Sequence, residues 1–350
     1  MAEFIVLLIF AMFITVVSFC SSAFAGETDA GAVRKRSAIK HQDIPRKVLA
    51  FYYPWYGTQA FTGKWIHYKD IDTDAKTIGD LTHYPSIGPY DSHDPEAVAY
   101  HMELAQRAGV DGFIVSWWGK RDFSDDAMPV ILDEAQKRNI EVTVYHEDVP
   151  DGKSESAVDD FLYVLEKYGS HPAYQRFHDK PVIFVYGRSM GRLDIIGWAS
   201  VLAEVERRYP SGLIAVADRL DRPAARIFDG IHTYNYAGDA AGRSAGQITQ
   251  MMRRRYSSVV KLVGEFGRIS CLTIIPGYDD TKVRTPGLVV ERYDGKLYEQ
   301  TWEMAIRLSP NWILITSFNE WHEGSEIEPS EEYGDQYIKL TRKWSDKFKA

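Results

Sequence analysis

Cysteine is almost missing from this sequence: 350 residues hold two, Cys20 and Cys271. If the chain is exported and cut after Ala25, Cys271 alone remains, which excludes an internal disulfide and leaves stability to the core. Cys271 is expected to be a small buried hydrophobe without chemistry. A basic excess is missing too. Lys and Arg number 41 against 49 Asp and Glu, a formal net charge of −8, so the chain offers no footprint for phosphate backbones and nucleic acid is not an expected partner. Neither a Gly-x-Ser-x-Gly elbow nor a Walker loop is expected at the strand ends, so acyl and phosphoryl transfer are not expected. No second histidine stands at ligand spacing near His322, so neither metal nor cofactor is expected. No Asn-x-Ser/Thr sequon marks a compartment.

What is present fits one globular domain, with 45% hydrophobic and 26% charged residues. The 21 Tyr and 9 Trp could equally be core or flat platforms for neutral sugars. Residues 4–19 form an apolar run ending toward Ala23-Phe24-Ala25, which has the shape of a signal-peptidase site. Residues 1–25 are therefore expected to be a signal peptide or a retained N-terminal anchor, the run being slightly short of the ~17 residues that span a bilayer. Residues 26–47 lack an apolar period and read as a flexible leader. The expected location is secreted, periplasmic or cell-surface, with a Golgi-type anchored lumenal enzyme as the alternative. Contact with a membrane is expected only if the apolar segment is retained.

From residue 48 to 350 short apolar runs alternate with segments of helical spacing, which predicts an α/β fold of parallel βα units, a single-domain (β/α)8 TIM barrel. The eight expected strands are residues 48–53, 112–117, 141–146, 182–186, 213–217, 230–234, 272–276 and 312–318. Their near-continuous apolar character suits strands covered on both faces. Helices are expected over 94–108, with Asp94-Pro95 as cap and first turn, and over 154–168 and 245–263. Little room remains for a helix after the fifth strand. A doubly wound sheet is disfavoured because Tyr52-Tyr53-Pro54-Trp55-Tyr56-Gly57, not a Gly-rich phosphate loop, follows the first strand.

In such a barrel the reacting groups project from strand C-termini into one mouth. The expected mouth carries Tyr52, Tyr53, Ser116-Trp117-Trp118, His146-Glu147, Tyr186, Tyr234, Tyr236, Tyr278-Asp279-Asp280, and Asn319-Glu320-Trp321-His322-Glu323. Glu320 and Glu323 are three apart and, on a turn leaving the strand, would present two carboxylates to one side. Glycoside cleavage needs one carboxyl protonated and one ionised, and neighbouring acids in a partly dry pocket have their pKa values pushed apart. An isolated pair at this spacing is more often a helix-terminal device. Its place on the eighth strand, flanked by Asn319, Trp321 and His322, favours chemistry. Trp117 and Trp118 read equally as core or as sugar platforms. Glu147, directly after a strand, would be costly to bury unpaired, which favours a polar ligand there.

The run Ser317-Phe318-Asn319-Glu320-Trp321-His322-Glu323-Gly324-Ser325-Glu326-Ile327-Glu328 resembles the signature of glycoside hydrolase family 99, the endo-α-1,2-mannosidases and endo-α-1,2-mannanases. The resemblance continues through Phe51 to Gly57, Gly63-Lys64, Gly88-Pro89-Tyr90-Asp91-Ser92, Ser116-Trp117-Trp118-Gly119, Glu147, Thr233-Tyr234, Pro276-Gly277-Tyr278 and Arg284. It implies a retaining, endo-acting enzyme without cofactor. Glu320 would act as base on the sugar 2-hydroxyl to give a 1,2-anhydro sugar. Glu323 would protonate the leaving oxygen and then activate water. Tyr52, Lys64, Trp118, Glu147 and Tyr234 fall where the family places sugar contacts, and Tyr53, Trp117, Tyr236, Asn319 and His322 join them as rim candidates.

Ser116-Trp117-Trp118 resembles the bacterial mannan-degrading members, where animal Golgi members have Ser-Trp-Tyr. The expected partner is therefore α-mannan or another mannose-containing oligosaccharide. Departures from the family pattern stand at Thr285-Pro286, His232 and Asn235. Two rival readings are a barrel resembling the WbsX-like domains linked to polysaccharide biosynthesis and a carbohydrate-binding protein without catalysis. The His322-Glu323 pair argues against the first, and the presence of both carboxylates argues against the second.

Overall fold

A computed structural model of the chain describes residues 38–350. The expected signal peptide or anchor and most of the expected leader lie outside the described residues. Eight parallel strands close into a barrel: β1 Lys47–Tyr52, β2 Gly112–Trp117, β3 Glu141–His146, β4 Lys180–Val185, β5 Ile214–Asp218, β6 Gly230–His232, β7 Ile269–Ile274 and β8 Trp312–Ile315. Each pairs with its neighbours in sequence, β1 pairs with β8, and β3 pairs with β4 to complete the ring. The outer layer is α1 Pro95–Ala108, α2 Phe123–Arg138, α3 Ser154–Lys167, α4 Ile195–Arg208, α5 Arg222–Ile227, α6 Ala245–Phe266, α7 Lys296–Arg307 and α8 Gln336–Lys349. Among the described residues no helix is long and apolar enough to cross a membrane.

Local chemistry sets the helix ends. The Asp94 carboxylate accepts the Glu96 N–H at 2.9 Å, Pro95 opens α1, and Gly109 ends it at φ +70°, a conformation that costs glycine least. The stripe Ala97, Val98, Met102, Leu104, Ala105 and Ala108 is buried. The fifth unit is short as expected, α5 being a single six-residue helix behind an Asp221 cap.

Alternation along the strands divides the core in two. Leu49 and Phe51 of β1 point into the barrel with Ile114, Tyr145, Phe184, Val216, Cys271 and Trp312, whereas Val48, Ala50 and Tyr52 face the helices. Cys271 lies mid-strand, buried, and its thiol is pushed well up by burial.

The last part of the expected leader is ordered against the barrel floor. Ile39 N–H donates to the Gly267 carbonyl at 3.0 Å. His41 Nδ1 lies 3.1 Å from Asn311 Oδ1, and Asn311 Nδ2 donates to the His41 carbonyl at 3.1 Å. Ile44 is buried in the same apolar cluster as Leu49, Cys271 and Trp312. Single apolar anchors of this kind carry no periodicity, which is why the segment reads as a leader.

Candidate active site

The segment after β8 is shaped by its own side chains. Ser317 Oγ accepts the Glu320 N–H at 2.7 Å, and Glu320 Oε1 accepts the His322 N–H at 3.1 Å, capping a single turn over Trp321–Glu323. Gly324 ends the turn at φ +52°, where a Cβ would meet the Asp279 carbonyl at 3.0 Å. Buried Arg292 donates to the Gly324 and Glu326 carbonyls, each at 3.0 Å, and to the Glu326 carboxylate at 2.6 Å. Tyr90 OH and Trp321 Nε1 donate to Glu328 at 2.9 and 3.2 Å. The two carboxylates expected to react thus stand on a turn fixed from both sides.

Glu323 Oε2 accepts the Tyr234 hydroxyl at 3.1 Å, and Oε1 accepts both terminal nitrogens of Arg284 at 3.2 Å. Burial, and then the charge of Glu320, raise its pKa to about 7 against the pull of Arg284. The same carboxyl is therefore a proton donor near neutrality. Arg284 is itself held by Asp280 and by Tyr278 OH at 2.6 Å.

Glu320 faces a cation of its own. His322 Nδ1 lies 3.4 Å from Glu320 Oε1, Nε2 lies 3.4 Å from Asp80 Oδ2, and the ring stacks on Tyr56 at 5.9 Å and 15°. Burial opposes the charged ring, but Asp80 and Glu320 outweigh it and raise the His322 pKa to about 9. Asp80, which also accepts the Lys69 N–H at 2.9 Å, is held below the usual carboxylate range by these bonds in spite of its burial. An imidazolium between two carboxylates fixes the Glu320 oxygen and keeps local charge in balance.

Glu147 projects from the end of β3 and is buried. Burial raises its pKa to about 8, with Glu320 and Glu323 adding to the rise, while the Ser116 hydroxyl at 2.7 Å and the nearby Arg188 oppose it. Ser116 Oγ in turn accepts Trp118 Nε1 at 3.0 Å. The Arg188 guanidinium lies over the Trp118 ring at 5.0 Å. Tyr53 completes the group: burial and then Glu147, Glu320 and Glu323 hold its phenol well above the ordinary range. A cleft of about 500 Å³ opens over Glu320, His322 and Glu323 and is walled by Trp55, His67, Asp80 and Arg284. The Trp55 ring stacks on His67 at 4.6 Å and lies 6.5 Å from Trp118.

The structure therefore brings Tyr53, Trp118, Glu147, Tyr234 and His322 to the two glutamates. Other expected contacts go elsewhere. Tyr52 faces the helices, its OH 2.9 Å from His101 Nδ1 and its ring stacked on Phe113. Trp117 also points outward and donates to Asp125 at 2.8 Å. Tyr236 is buried in the helix-facing core. For Tyr52 and Trp117 the physical reason is strand parity: neighbours in sequence face opposite sides, so only one of Tyr52-Tyr53 and one of Trp117-Trp118 reaches the mouth. Tyr236 lies beyond β6, at the start of the short helix Ala237–Ala240. Asn319 is fully buried and spent on architecture, with Oδ1 accepting Tyr53 N–H at 2.7 Å and Nδ2 donating to the Tyr53 carbonyl and Tyr90 OH at 3.1 Å each. Lys64 is exposed beyond the cleft wall, because paired bonds between Gly57 and Ile66 turn Ile66 and His67 inward instead.

Asp80, His67 and Arg188 were not singled out by the sequence: Asp80 and His67 lie on a turn and a bend without a local pattern, and Arg188 is on the six-residue helix Gly187–Arg192, too short to show a periodicity. The expected absence of a Gly-x-Ser-x-Gly elbow does not hold, because the spelling is present. Gly187-Arg188-Ser189-Met190-Gly191 after β4 has the Gly-x-Ser-x-Gly spelling of a nucleophile elbow. Ser189 Oγ lies 2.8 Å from His146 Nδ1, and His146 Nε2 lies 3.3 Å from Asp160. Ser189 and His146 are sealed, at 0% and 1% exposed, so no substrate reaches them and the trio ties β3 and the short helix Gly187–Arg192 to α3. Among the described residues no group of three or more His, Cys, Asp or Glu is arranged to hold a metal ion.

Comparison with known proteins gives one consistent family. The sequence pattern described as Glycosyl hydrolase family 99 is matched over residues 44–350. The glycoprotein endo-alpha-1,2-mannosidase of Mus musculus is 30% identical over 373 residues, covering 90% of this chain and 78% of that protein. The glycoprotein endo-alpha-1,2-mannosidase-like protein of Homo sapiens is 30% identical over 352 residues, covering 85% and 75%. The solved structure of a GH99 endo-alpha-mannosidase from Bacteroides thetaiotaomicron superimposes with a TM-score of 0.74 at 28% identity, over 87% of this chain and 98% of that one.

Proposed function

The chain belongs to glycosyl hydrolase family 99, and from that membership we propose a retaining endo-hydrolysis of internal α-1,2-mannosidic bonds in α-mannan or high-mannose N-glycans. That it is a glycoside hydrolase follows from the family and from its endo-α-1,2-mannosidase relatives. The observation that carries the finer reading is the unequal dress of the two carboxyls. Glu323, raised to about 7, is available as the acid that protonates the leaving oxygen. Glu320, held by the His322 backbone and ring, serves as the base.

In the proposed course the base takes the proton of the substrate's own 2-hydroxyl. The freed oxygen attacks C1 while Glu323 protonates the departing sugar, giving a 1,2-anhydro intermediate. Glu323, now an anion beside Arg284, takes a proton from water as that water opens the three-membered ring at C1, while Glu320 returns its proton to the 2-oxygen, restoring both carboxyls and giving net retention. Trp118, Tyr53 and Tyr234 offer the apolar and hydroxyl contacts, and Glu147 accepts or donates to a sugar hydroxyl according to its proton. Trp118 supports mannan over glucosylated glycans as the preferred substrate. Export is the expected setting for a polymer of this size, supported by the apolar run and the Ala23-Phe24-Ala25 site ahead of the barrel.

Incubation of the purified protein with yeast α-mannan and with a glucosylated high-mannose glycan tests this. The expected products are disaccharides or longer, released first as the α-anomer by NMR, faster from mannan. Initial release of the β-anomer, or of monosaccharide alone, would overturn the mechanism.

A further inference from the structure

Of the large apolar side chains that the described residues leave exposed, Phe61, Trp65 and Ile87 are 52%, 39% and 43% exposed and line a single groove. The groove, about 550 Å³, is completed by Pro89, Asp94, Glu96 and Tyr100. It lies outside the barrel mouth, against the start of α1. Soluble proteins rarely gather exposed aromatics in one place without a ligand for them.

The loop that presents them is built to hold its shape. Thr58 N–H donates to the buried Asp91 carboxylate at 2.8 Å, Thr62 N–H donates to the same oxygen at 3.2 Å, and the Thr62 hydroxyl joins them. Thr62 N–H also reaches the Thr58 carbonyl at 3.0 Å, and the loop is closed at its base by the bonds between Gly57 and Ile66. Phe61 and Trp65 are therefore held outward by a tied loop. The same loop faces both ways: Ile66 and His67 wall the catalytic cleft, while Trp65 stands in the groove, its ring edge-on to Tyr68 at 6.0 Å. Groove and cleft are thus neighbours separated by one strip of chain.

The chemistry of the lining selects the occupant. Its charged side chains are all carboxylates, Asp91, buried and taken up by Thr58, Thr62 and His93, and the freer Asp94 and Glu96, which disfavours phosphate, nucleic acid and anionic lipid. Open aromatic faces beside carboxylate acceptors suit a neutral polyhydroxylated chain, whose C–H faces stack on rings and whose hydroxyls donate to carboxylates. We propose that this groove is a second glycan-binding site, holding a stretch of the same mannan polymer remote from the bond being cut. The proposal rests on the mannanase reading and deepens it. A site of this kind raises the effective concentration of further bonds at the cleft without touching the reaction.

The test compares the full chain with Trp65→Ala and Phe61→Ala, on polymeric α-mannan and on a manno-tetrasaccharide that fills the cleft alone. On the polymer, kcat/KM is expected to fall roughly 5–10-fold, through KM, with the tetrasaccharide unchanged, a loss in the range of a modest avidity effect. Retention of Glu323→Gln on insoluble mannan is expected to weaken by a similar factor when Trp65→Ala is added. Equal changes on both substrates, or no change on either, would overturn the proposal. A shift in the protein's mass in solution with Trp65→Ala, without loss of mannan retention, would overturn it in favour of a contact between copies. If the wild type cleaves neither substrate the catalytic reading fails, and mannan retention still decides the groove.

Discussion

Replacing Arg284 by Gln tests how the proton on Glu323 is set. Arg284 donates twice to Glu323 at 3.2 Å, so its charge favours the ionised carboxylate. Charge centres about 4 Å apart interact by roughly 4 kcal/mol at an effective dielectric near 20. The Arg284 side chain is 52% exposed and shared with Asp280, and solvent screening reduces the effect to about 1.4 kcal/mol, or about one pH unit. The sign follows from the role. The acid works in its protonated form, so kcat/KM falls as pH rises through the Glu323 pKa near 7. Without Arg284 that pKa rises further, and the alkaline limb of the kcat/KM profile is expected to move up by about one unit, even if the maximum drops. Arg284→Lys keeps the charge and should leave the limb close to its original place. Glu147, raised to about 8, titrates nearby, and repeating the profile in a Glu147→Gln background separates the two. A limb that stays fixed, or moves down, in Arg284→Gln would refute this account of the acid.

Glu320→Gln and Glu323→Gln should each lower turnover about 100-fold or more, with sugar binding by calorimetry largely retained; near-normal turnover removes that residue from the mechanism. His322→Asn and Asp80→Asn should lower kcat by about 10-fold with little change in KM, and the double variant should be no worse than the singles, because both act through Glu320. Additive losses would mean that they act separately. Trp117→Phe should cost about 1 kcal/mol of stability through the lost bond to Asp125 and leave KM alone, whereas Trp118→Ala should raise KM. The reverse pattern in denaturation and kinetics would put Trp117, not Trp118, in the cleft.

The legible parts of the sequence were those where one local pattern decides one outcome. Gly112–Trp117 and Glu141–His146 begin and end where their apolar runs do, and the cap at Asp94 with the glycine at 109 bounds α1. Elsewhere the strands slip by one to three residues, as in β7, where Ile269, Ser270 and Cys271 precede the run expected to open at Leu272. The carboxylate pair was legible because strand, turn and acid follow one another in a single stretch. What could not be read was direction. Tyr52 beside Tyr53, and Trp117 beside Trp118, are alike in composition and opposite in facing, and parity depends on where the barrel axis lies. Nor could distance in sequence be read: Asp80 meets His322 across more than two hundred residues, joined by an ion pair that leaves no periodic trace.

The ordered stretch ahead of β1 separates two boundaries that are easily taken for one. Among the described residues every strand and every group at the mouth lies at Lys47 or beyond it. A chain started there would keep its chemistry and lose the hydrogen bonds of Ile39 and His41 and the burial of Ile44, the last worth about 2 kcal/mol. Such a truncation should show itself in melting temperature and solubility, through an uncovered patch around Leu49 and Trp312, before it shows in rate. The shortest stretch that can catalyse and the shortest that folds well therefore begin at different residues.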